Sequence, residues 1–216
     1  MEEGIKKVPE VVQNSGHKIA VLGLGTGKLP PTPTDVLLPI LMDAIEVGYH
    51  HFDTAAFYQS EQAIGRAVVQ VLKRGLIKSR DEIFLTSKLW CTDASQSYSP
   101  CPQHHTPLGL DWSMRVCFLP WEFMELPPRL PNTGIDYYTI IEDLAAAKGK
   151  AVPQILLRSI IQQGPSAVPR SFNKERMKQN LEIFDWELGE DEMNKINQIP
   201  HRRLYAGDLF VYEVGP

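Results

Sequence analysis

The sequence has no long apolar run. No stretch of its 216 residues approaches the roughly eighteen consecutive apolar residues of a membrane span. Its first residues, MEEGIKKVPEVV, lack the apolar core of a secretory signal peptide. We therefore expect a soluble, cytoplasmic (cytosolic) protein that does not bind membranes.

The net charge is small and cysteines are few. The formal net charge is -4, and like charges form no long runs, which argues against a nucleic acid or an anionic membrane as partner. A small or phosphate-bearing ligand fits better, and no specific protein partner can be inferred. The cysteines number three, an odd count, and all lie in one central stretch, so we expect reduced thiols rather than a disulfide framework.

Short apolar strands alternate with amphipathic helices over most of the chain. A hairpin over residues 11–25 leads into a buried strand, and two further strands follow as HHFDTA and EIFLTSKLW. A helix lies between each pair of strands, and past residue 136 four helices accompany a strand, SAVPRS. This order predicts parallel strands joined by right-handed crossovers, as in an α/β fold of the (β/α)8 TIM-barrel type.

Local signals set the ends of the first two helices. Thr34 and Ser60 are expected to cap their starts, and Gly48 and Gly75 to end them. Pro39 should kink or delay the first helix because it lacks an N–H group.

The middle of the chain breaks the alternation. Residues 91–136 hold many prolines and all three cysteines, without a sustained helical or strand period. A complete eight-stranded barrel takes about 250 residues, so this segment is too short for the units that should lie there. We expect a single domain over residues 1–216 whose barrel is incomplete, with about half the strand-helix units replaced by an irregular segment.

The candidate catalytic residues lie in residues 48–61, GYHHFDTAAFYQSE, and in the later segment LTSKLW. Asp53 and Lys88 end predicted parallel strands, and Tyr58 lies in the loop between them. A phenol is a weak acid with a pKa of about 10, but a nearby ammonium lowers that pKa, and a carboxylate keeps the ammonium in place. These residue types therefore suit proton donation to a carbonyl oxygen.

The same words resemble the first signature of the aldo-keto reductase family. The resemblance implies that Asp53, Tyr58 and Lys88 are catalytic, and that the protein reduces an aldehyde or ketone with NADPH. The ending GDLFVYEVGP suggests the plant chalcone reductase-like and codeinone reductase-like subgroup, as a truncated or splice-altered or frame-altered member.

A second constellation, SAVPRSFNKERMKQN, resembles the cofactor signature of that family. Asn173 can cap the following helix, whose free N–H groups attract an anion, and Arg176 lies one turn in. The resemblance implies that this segment holds the 2'-phosphate of NADPH and that Asn180 reaches the adenine. The expected cofactor-binding residues are Gly25, Thr26, Asp53, Arg170, Ser171, Phe172, Asn173, Arg176, Gln179 and Asn180.

Two other interpretations are weaker. Gly23, Gly25 and Gly27 suggest the phosphate turn of a dinucleotide-binding domain, but KLPPTPT follows where a helix should begin. Cys101, His104, His105 and Cys117 lack a paired zinc-ribbon spacing, so no metal site is expected.

One expected member of the family's catalytic set is missing. No LxHWP-like word supplies the histidine that orients the substrate carbonyl, and no other histidine replaces it by motif. Two hypotheses follow: an NADPH-dependent carbonyl reductase with Tyr58 as proton donor, or an inactive remnant that at most binds cofactor or a partner weakly.

Overall fold

The computed structural model describes residues 8–13, 16–88 and 137–199. The first two strands form a hairpin: β1 (Glu10–Val12) pairs antiparallel with β2 (Lys18–Ala20). The predicted hairpin is thereby confirmed.

The next elements form a parallel sheet covered by helices. The sheet has the order β3-β4-β5, and both pairings are parallel, as the alternation predicts. The strands are two or three residues long. The elements are β3 (Leu24–Gly25), α1 (Thr34–Val47), β4 (His51–Asp53), α2 (Glu61–Lys73) and β5 (Phe84–Thr86), with 3-10 turns at Ala56–Tyr58 and Arg80–Glu82.

Both glycine stops are confirmed, but two expectations for α1 are not. Gly48 adopts a left-handed conformation after α1, and Gly75 has φ +70° after α2. Thr34 is the first helical residue rather than the cap, since Pro33 occupies the cap position. Pro39 lies inside α1 without delaying it; the carbonyl it leaves unpaired belongs to Asp35, in the exposed first turn, where water can bond to it.

The later region supplies four helices. They are α3 (Tyr137–Lys148), α4 (Val152–Gln162), α5 (Lys174–Leu181), which continues into a 3-10 turn at Glu182–Phe184, and α6 (Glu190–Asn197). The predicted strand SAVPRS is reduced to one parallel bridge between Leu22 and Ala167. Pro169 explains this, because it accepts a hydrogen bond from Gly25 but has no N–H group with which to extend the ladder.

The main core lies between the sheet and helices α1, α2, α4 and α5. Leu22, Leu24 and Phe52 are almost completely buried in it. In the described residues the sheet remains open, with three strands and the bridge. Among the described helices, none combines the length and the apolar character needed to cross a membrane.

Candidate active site

The ends of β4 and β5 bring Asp53 and Lys88 together. Asp53 lies opposite Thr86 in the parallel register. Past the strand ends, Thr54 N–H donates to the Thr86 carbonyl at 2.8 Å, and Ala56 N–H donates to the Lys88 carbonyl at 3.2 Å. The loop after β4 is thus held beside the segment that carries Lys88.

Lys88 and Asp53 form a mostly buried ion pair. Lys88 Nζ lies 2.6 Å from Asp53 Oδ2 and donates to the Thr54 carbonyl at 2.9 Å. Their side chains are 13% and 12% exposed. Burial raises the pKa of the Asp53 carboxyl, while the charge and hydrogen bond of Lys88 lower it, and burial is the larger influence. The ammonium is therefore held at a fixed place in a poorly solvated site.

Tyr58 lies beside the same ammonium. It ends the 3-10 turn at Ala56–Tyr58, and Lys88 Nζ is 4.9 Å from the centre of its ring, within the range of a cation–π contact. The ring packs on Gly27: a Cβ there would lie 3.1 Å from Tyr58 Cζ. Glycine at position 27 thus lets the backbone approach the phenol closely.

Three buried hydroxyls lie behind this cluster. Ser60 Oγ is 2.7 Å from Thr26 Oγ1 and 2.5 Å from Thr54 Oγ1. Thr26 Oγ1 also donates to the Asp53 carbonyl at 2.9 Å. Ser60 occupies the N-cap position of α2, as predicted, but its hydroxyl makes no capping hydrogen bond and contacts the two threonines instead.

Thr26 lies behind the site rather than at its surface. Both its hydroxyl and its N–H donate to the Asp53 carbonyl, and its side chain is 1% exposed. Gly25, the neighbouring cofactor candidate, packs against the segment that includes Pro169, and a Cβ there would lie 2.7 Å from the Val168 carbonyl oxygen. Contact of Gly25 or Thr26 with a cofactor stays a prediction.

The start of α5 has the geometry of an anion site. Asn173 Oδ1 accepts from Arg176 N–H at 2.9 Å, so Asn173 caps the helix as predicted. The Asn173 and Arg176 side chains are exposed, whereas Ser171 is buried, and its hydroxyl contacts the Asn173 backbone. A helix N-terminus with an exposed guanidinium beside it favours a phosphate.

Arg170 connects this segment to the first cluster. Its Nη1 donates to the Gly27 carbonyl at 3.0 Å, and its guanidinium lies 5.7 Å from the centre of the Phe172 ring. Gly27 therefore contacts Arg170 through its carbonyl and the Tyr58 ring through its Cα. This residue, which the sequence presents only as part of a glycine-rich turn, joins the two predicted halves of the site.

The remaining two cofactor candidates in α5 differ in direction. Gln179 is exposed, and its carbonyl accepts from the Gln154 amide at 2.7 Å. Asn180 is 8% exposed. The Tyr49 hydroxyl donates to the carbonyl of Met177, also in α5, at 3.2 Å. Contact of Asn180 with adenine stays a prediction.

The structure also bears on the weaker interpretations. In a dinucleotide-binding turn the helix begins directly after the glycines, but α1 begins only at Thr34, after the proline-rich loop. The Cys101, His104, His105 and Cys117 group lies outside the described residues, as does the segment in which a further catalytic histidine would be sought. Elsewhere, in the part of the chain that the structure describes, no cluster of three potential metal ligands occurs.

Comparisons with known proteins all lead to one family. The sequence model of the aldo/keto reductase family matches residues 21–107. Rhazimal reductase 2 of Alstonia scholaris is 32% identical over the whole of this chain and 96% of its own length. NADPH-dependent codeinone reductase 1-4 of Papaver somniferum is 31% identical over 97% of this chain and 95% of its own. The expected resemblance to plant members is thereby confirmed.

Solved structures agree on the fold. The aldo-keto reductase of Bombyx mori in complex with NADP matches with a TM-score of 0.68 and 22% identity, over 96% of this chain and 98% of that one. An aldo/keto reductase of Brucella melitensis matches with a TM-score of 0.65 and 21% identity. The chain thus has the α/β fold of these structures.

The chain lacks residues at many positions of its aligned relatives. The alignment runs over 312 positions with the Alstonia reductase, whereas this chain has 216 residues, so the difference, at least 96 positions, has no residue here. Because the alignment includes all of this chain, those gaps fall inside it. Across its aligned length, with both signature regions present, the chain belongs to the aldo/keto reductase family.

Proposed function

We propose that this chain is an NADPH-dependent carbonyl reductase that acts on a small aldehyde or ketone. The observation that carries the proposal is the position of Lys88, whose ammonium lies 2.6 Å from Asp53 Oδ2 and 4.9 Å from the centre of the Tyr58 ring. Lys88, 30 residues or more along the chain, meets Asp53 and Tyr58 at the ends of two parallel strands, where α/β barrels carry their catalytic groups.

Each residue has a separate role in this proposal. Tyr58 donates a proton to the carbonyl oxygen, and the Lys88 ammonium stabilises the tyrosinate that remains. Asp53 holds the ammonium in place, and because the pair is mostly buried, water screens its charge only weakly. NADPH, when bound, supplies the hydride that reaches the carbonyl carbon.

The start of α5 would bind the cofactor's 2'-phosphate. Asn173 fixes the helix start, Arg176 presents an exposed guanidinium, and Ser171 orders the turn before them. Arg170 and Gly27 would lie along the path from this phosphate to Tyr58. The absence of a side chain at Gly27 would leave room there for the cofactor. The residues present thus fit a phosphorylated dinucleotide.

Turnover tests the proposal directly. Purified chain is mixed with NADPH and an aromatic aldehyde, and NADPH oxidation is followed by absorbance. We expect a rate above the blank that falls by at least about a hundredfold in Tyr58→Phe, with NADPH binding by fluorescence unchanged. Equal rates in the two proteins would assign the oxidation to something other than Tyr58.

Cofactor choice tests the phosphate site. Arg176→Met should weaken NADPH binding by about tenfold or more and leave NADH binding nearly unchanged, because only NADPH carries the 2'-phosphate. Arg66→Met, which removes an exposed arginine from α2, is the matched control and should change neither affinity. A parallel loss for both cofactors in Arg176→Met would contradict a 2'-phosphate site.

A second candidate rests on the internal gap of at least 96 positions relative to the Alstonia reductase. A barrel with about half its strand-helix units missing could retain the phosphate site and lose catalysis, leaving an inactive remnant that binds cofactor or a partner weakly. Stabilisation by NADPH in a thermal melt, lost in Arg176→Met but without Tyr58-dependent turnover, would favour this candidate. Turnover that depends on Tyr58 would exclude it.

A further inference from the structure

Ser60 is 1% exposed, lies two residues after Tyr58, and occupies the N-cap position of α2 without a capping hydrogen bond from its hydroxyl. We propose that it is a positioning residue: its hydroxyl, the middle member of a chain of three, holds the Tyr58 loop against the Asp53–Lys88 pair. This inference rests on the proposed function for its catalytic meaning, whereas its geometric content can be tested without turnover.

The direction of every bond in the chain follows from counting protons. The single hydroxyl proton of Thr26 goes to the Asp53 carbonyl, which can only accept. Ser60 must then donate to Thr26, and Thr54 must donate to Ser60. The chain runs from Thr54 through Ser60 and Thr26 to Asp53, and no proton is left over.

The three hydrogen-bonded hydroxyls surround the peptide group between Asp53, the catalytic candidate, and Thr54. Their chain ends on the Asp53 carbonyl, and it begins at Thr54, whose own carbonyl accepts from the Lys88 ammonium. All three hydroxyl residues are at most 1% exposed, so water cannot replace a lost member. A fully satisfied buried network of this kind fixes one arrangement of the backbone.

Tyr58 is held from both sides of the same network. The contact between Thr54 and Ser60 closes the base of the short loop in which Tyr58 lies. Thr26, which bonds to Ser60, is followed by Gly27, which packs on the Tyr58 ring. Gln59 bridges Tyr58 and Ser60 in a left-handed conformation with φ 53°, a costly geometry for a residue other than glycine, which persists only when its surroundings fix it.

The alternative is that the three hydroxyls only stabilise the fold. In that case Ser60→Ala would lower stability but leave the relation between the Tyr58 phenol and the Lys88 ammonium unchanged. If Ser60 positions Tyr58, the same substitution increases their separation and makes the phenol harder to ionise. The pH at which Tyr58 loses its proton therefore separates the two.

The test uses full-length protein with tyrosine labelled by carbon-13 at Cζ, with the Tyr58 signal assigned by its absence in Tyr58→Phe. We expect the pH of Tyr58 ionisation to rise by roughly half a unit or more in Ser60→Ala, and to return toward the wild-type value in Ser60→Thr, which restores the hydroxyl. Thr32→Val is the matched control, because it removes a buried hydroxyl that has no partner among the described residues.

If Ser60→Ala does not fold, Thr54→Val serves instead, since it removes the first donor of the chain and keeps the side-chain shape. Where the chain turns over, kcat should also fall about tenfold or more, with NADPH affinity unchanged. Unchanged Tyr58 ionisation in folded Ser60→Ala or Thr54→Val would overturn the inference. A shifted ionisation in a chain without turnover would uphold it and count against the proposed reductase instead.

Discussion

Two lysines of this chain form carboxylate ion pairs in opposite surroundings. Lys88, 13% exposed, contacts Asp53 at the ends of the parallel strands. Lys174, 36% exposed, contacts Asp43 and Glu46 where α5 meets α1. The residue types are the same, but the amount of water around them differs.

That difference shows in the ionisation of the groups. At Asp53, burial raises the carboxyl pKa even though an ammonium lies 2.6 Å away. At Lys174, hydrogen bonds with Asp43 and Glu46 raise the ammonium pKa and outweigh the opposing influence of burial. A buried pair therefore costs desolvation that an exposed pair avoids. The proposed reaction requires an ammonium that is fixed in position and weakly screened by water, and burial of the Lys88–Asp53 pair provides both.

The largest effect should come from breaking the buried pair. Lys88→Met leaves the Asp53 carboxylate without its cation, and we expect a loss of about 3 kcal/mol or more in the free energy of unfolding at pH 7. Urea denaturation provides the measurement. The loss should be smaller near pH 4, because a carboxyl with a raised folded-state pKa favours folding below its unfolded pKa and loses that advantage as pH rises.

The double variant Asp53→Asn with Lys88→Met is the control for this prediction. It removes both charges, so most of the lost stability should return. A single variant as stable as the wild type would mean that the pair is solvated like the one at Lys174.

A second prediction concerns how dry the sheet is beneath Lys88. His51 is 3% exposed, its ring contacts the Ala20 carbonyl and Thr86 Oγ1 at 3.2 Å, and burial lowers its pKa to about 4. The unfolded chain protonates at a higher pH than the folded one, so stability present above pH 6.5 is lost as pH falls toward 4. The full loss is roughly 3 kcal/mol.

Urea unfolding at pH 7 and at pH 4.5 measures this loss. In His51→Gln, most of the difference between the two pH values should disappear. His50→Gln is the matched control, since His50 contacts the Glu82 carbonyl nearer the surface, and it should keep the wild-type difference. Equal pH dependence in all three proteins would refute a dry site below Lys88.

The sequence predicted the parts of the site that depend on local signals. Asp53 ends a strand, Gly48 ends α1 and Asn173 caps α5, because in each case the deciding residues are close in sequence. The placement of Lys88 beside Asp53 also follows from two parallel strands ending at one edge.

The role of the Ser60 hydroxyl could not be predicted, because it depends on distant partners. Ser60 occupies the N-cap position of α2, as its neighbours predict, but its hydroxyl bonds to Thr26, which is 34 residues away in sequence. The one local signal that could have revealed the network is that two hydroxyl residues, Thr54 and Ser60, flank the short Tyr58 loop.

The smallest effect is expected at the exposed pair. Lys174→Met removes both of its contacts, but water solvates Asp43 and Glu46 in its place, so the free energy of unfolding should fall by less than about 1 kcal/mol. The same urea titration at low and at high salt provides the measurement, and the small difference should shrink at high salt because ions screen exposed charges. A loss as large as that of Lys88→Met, independent of salt, would mean that accessibility does not set the strength of these pairs. The two lysines would then have to differ in geometry alone, and the buried pair could not be assigned a special electrostatic role on the ground of its burial.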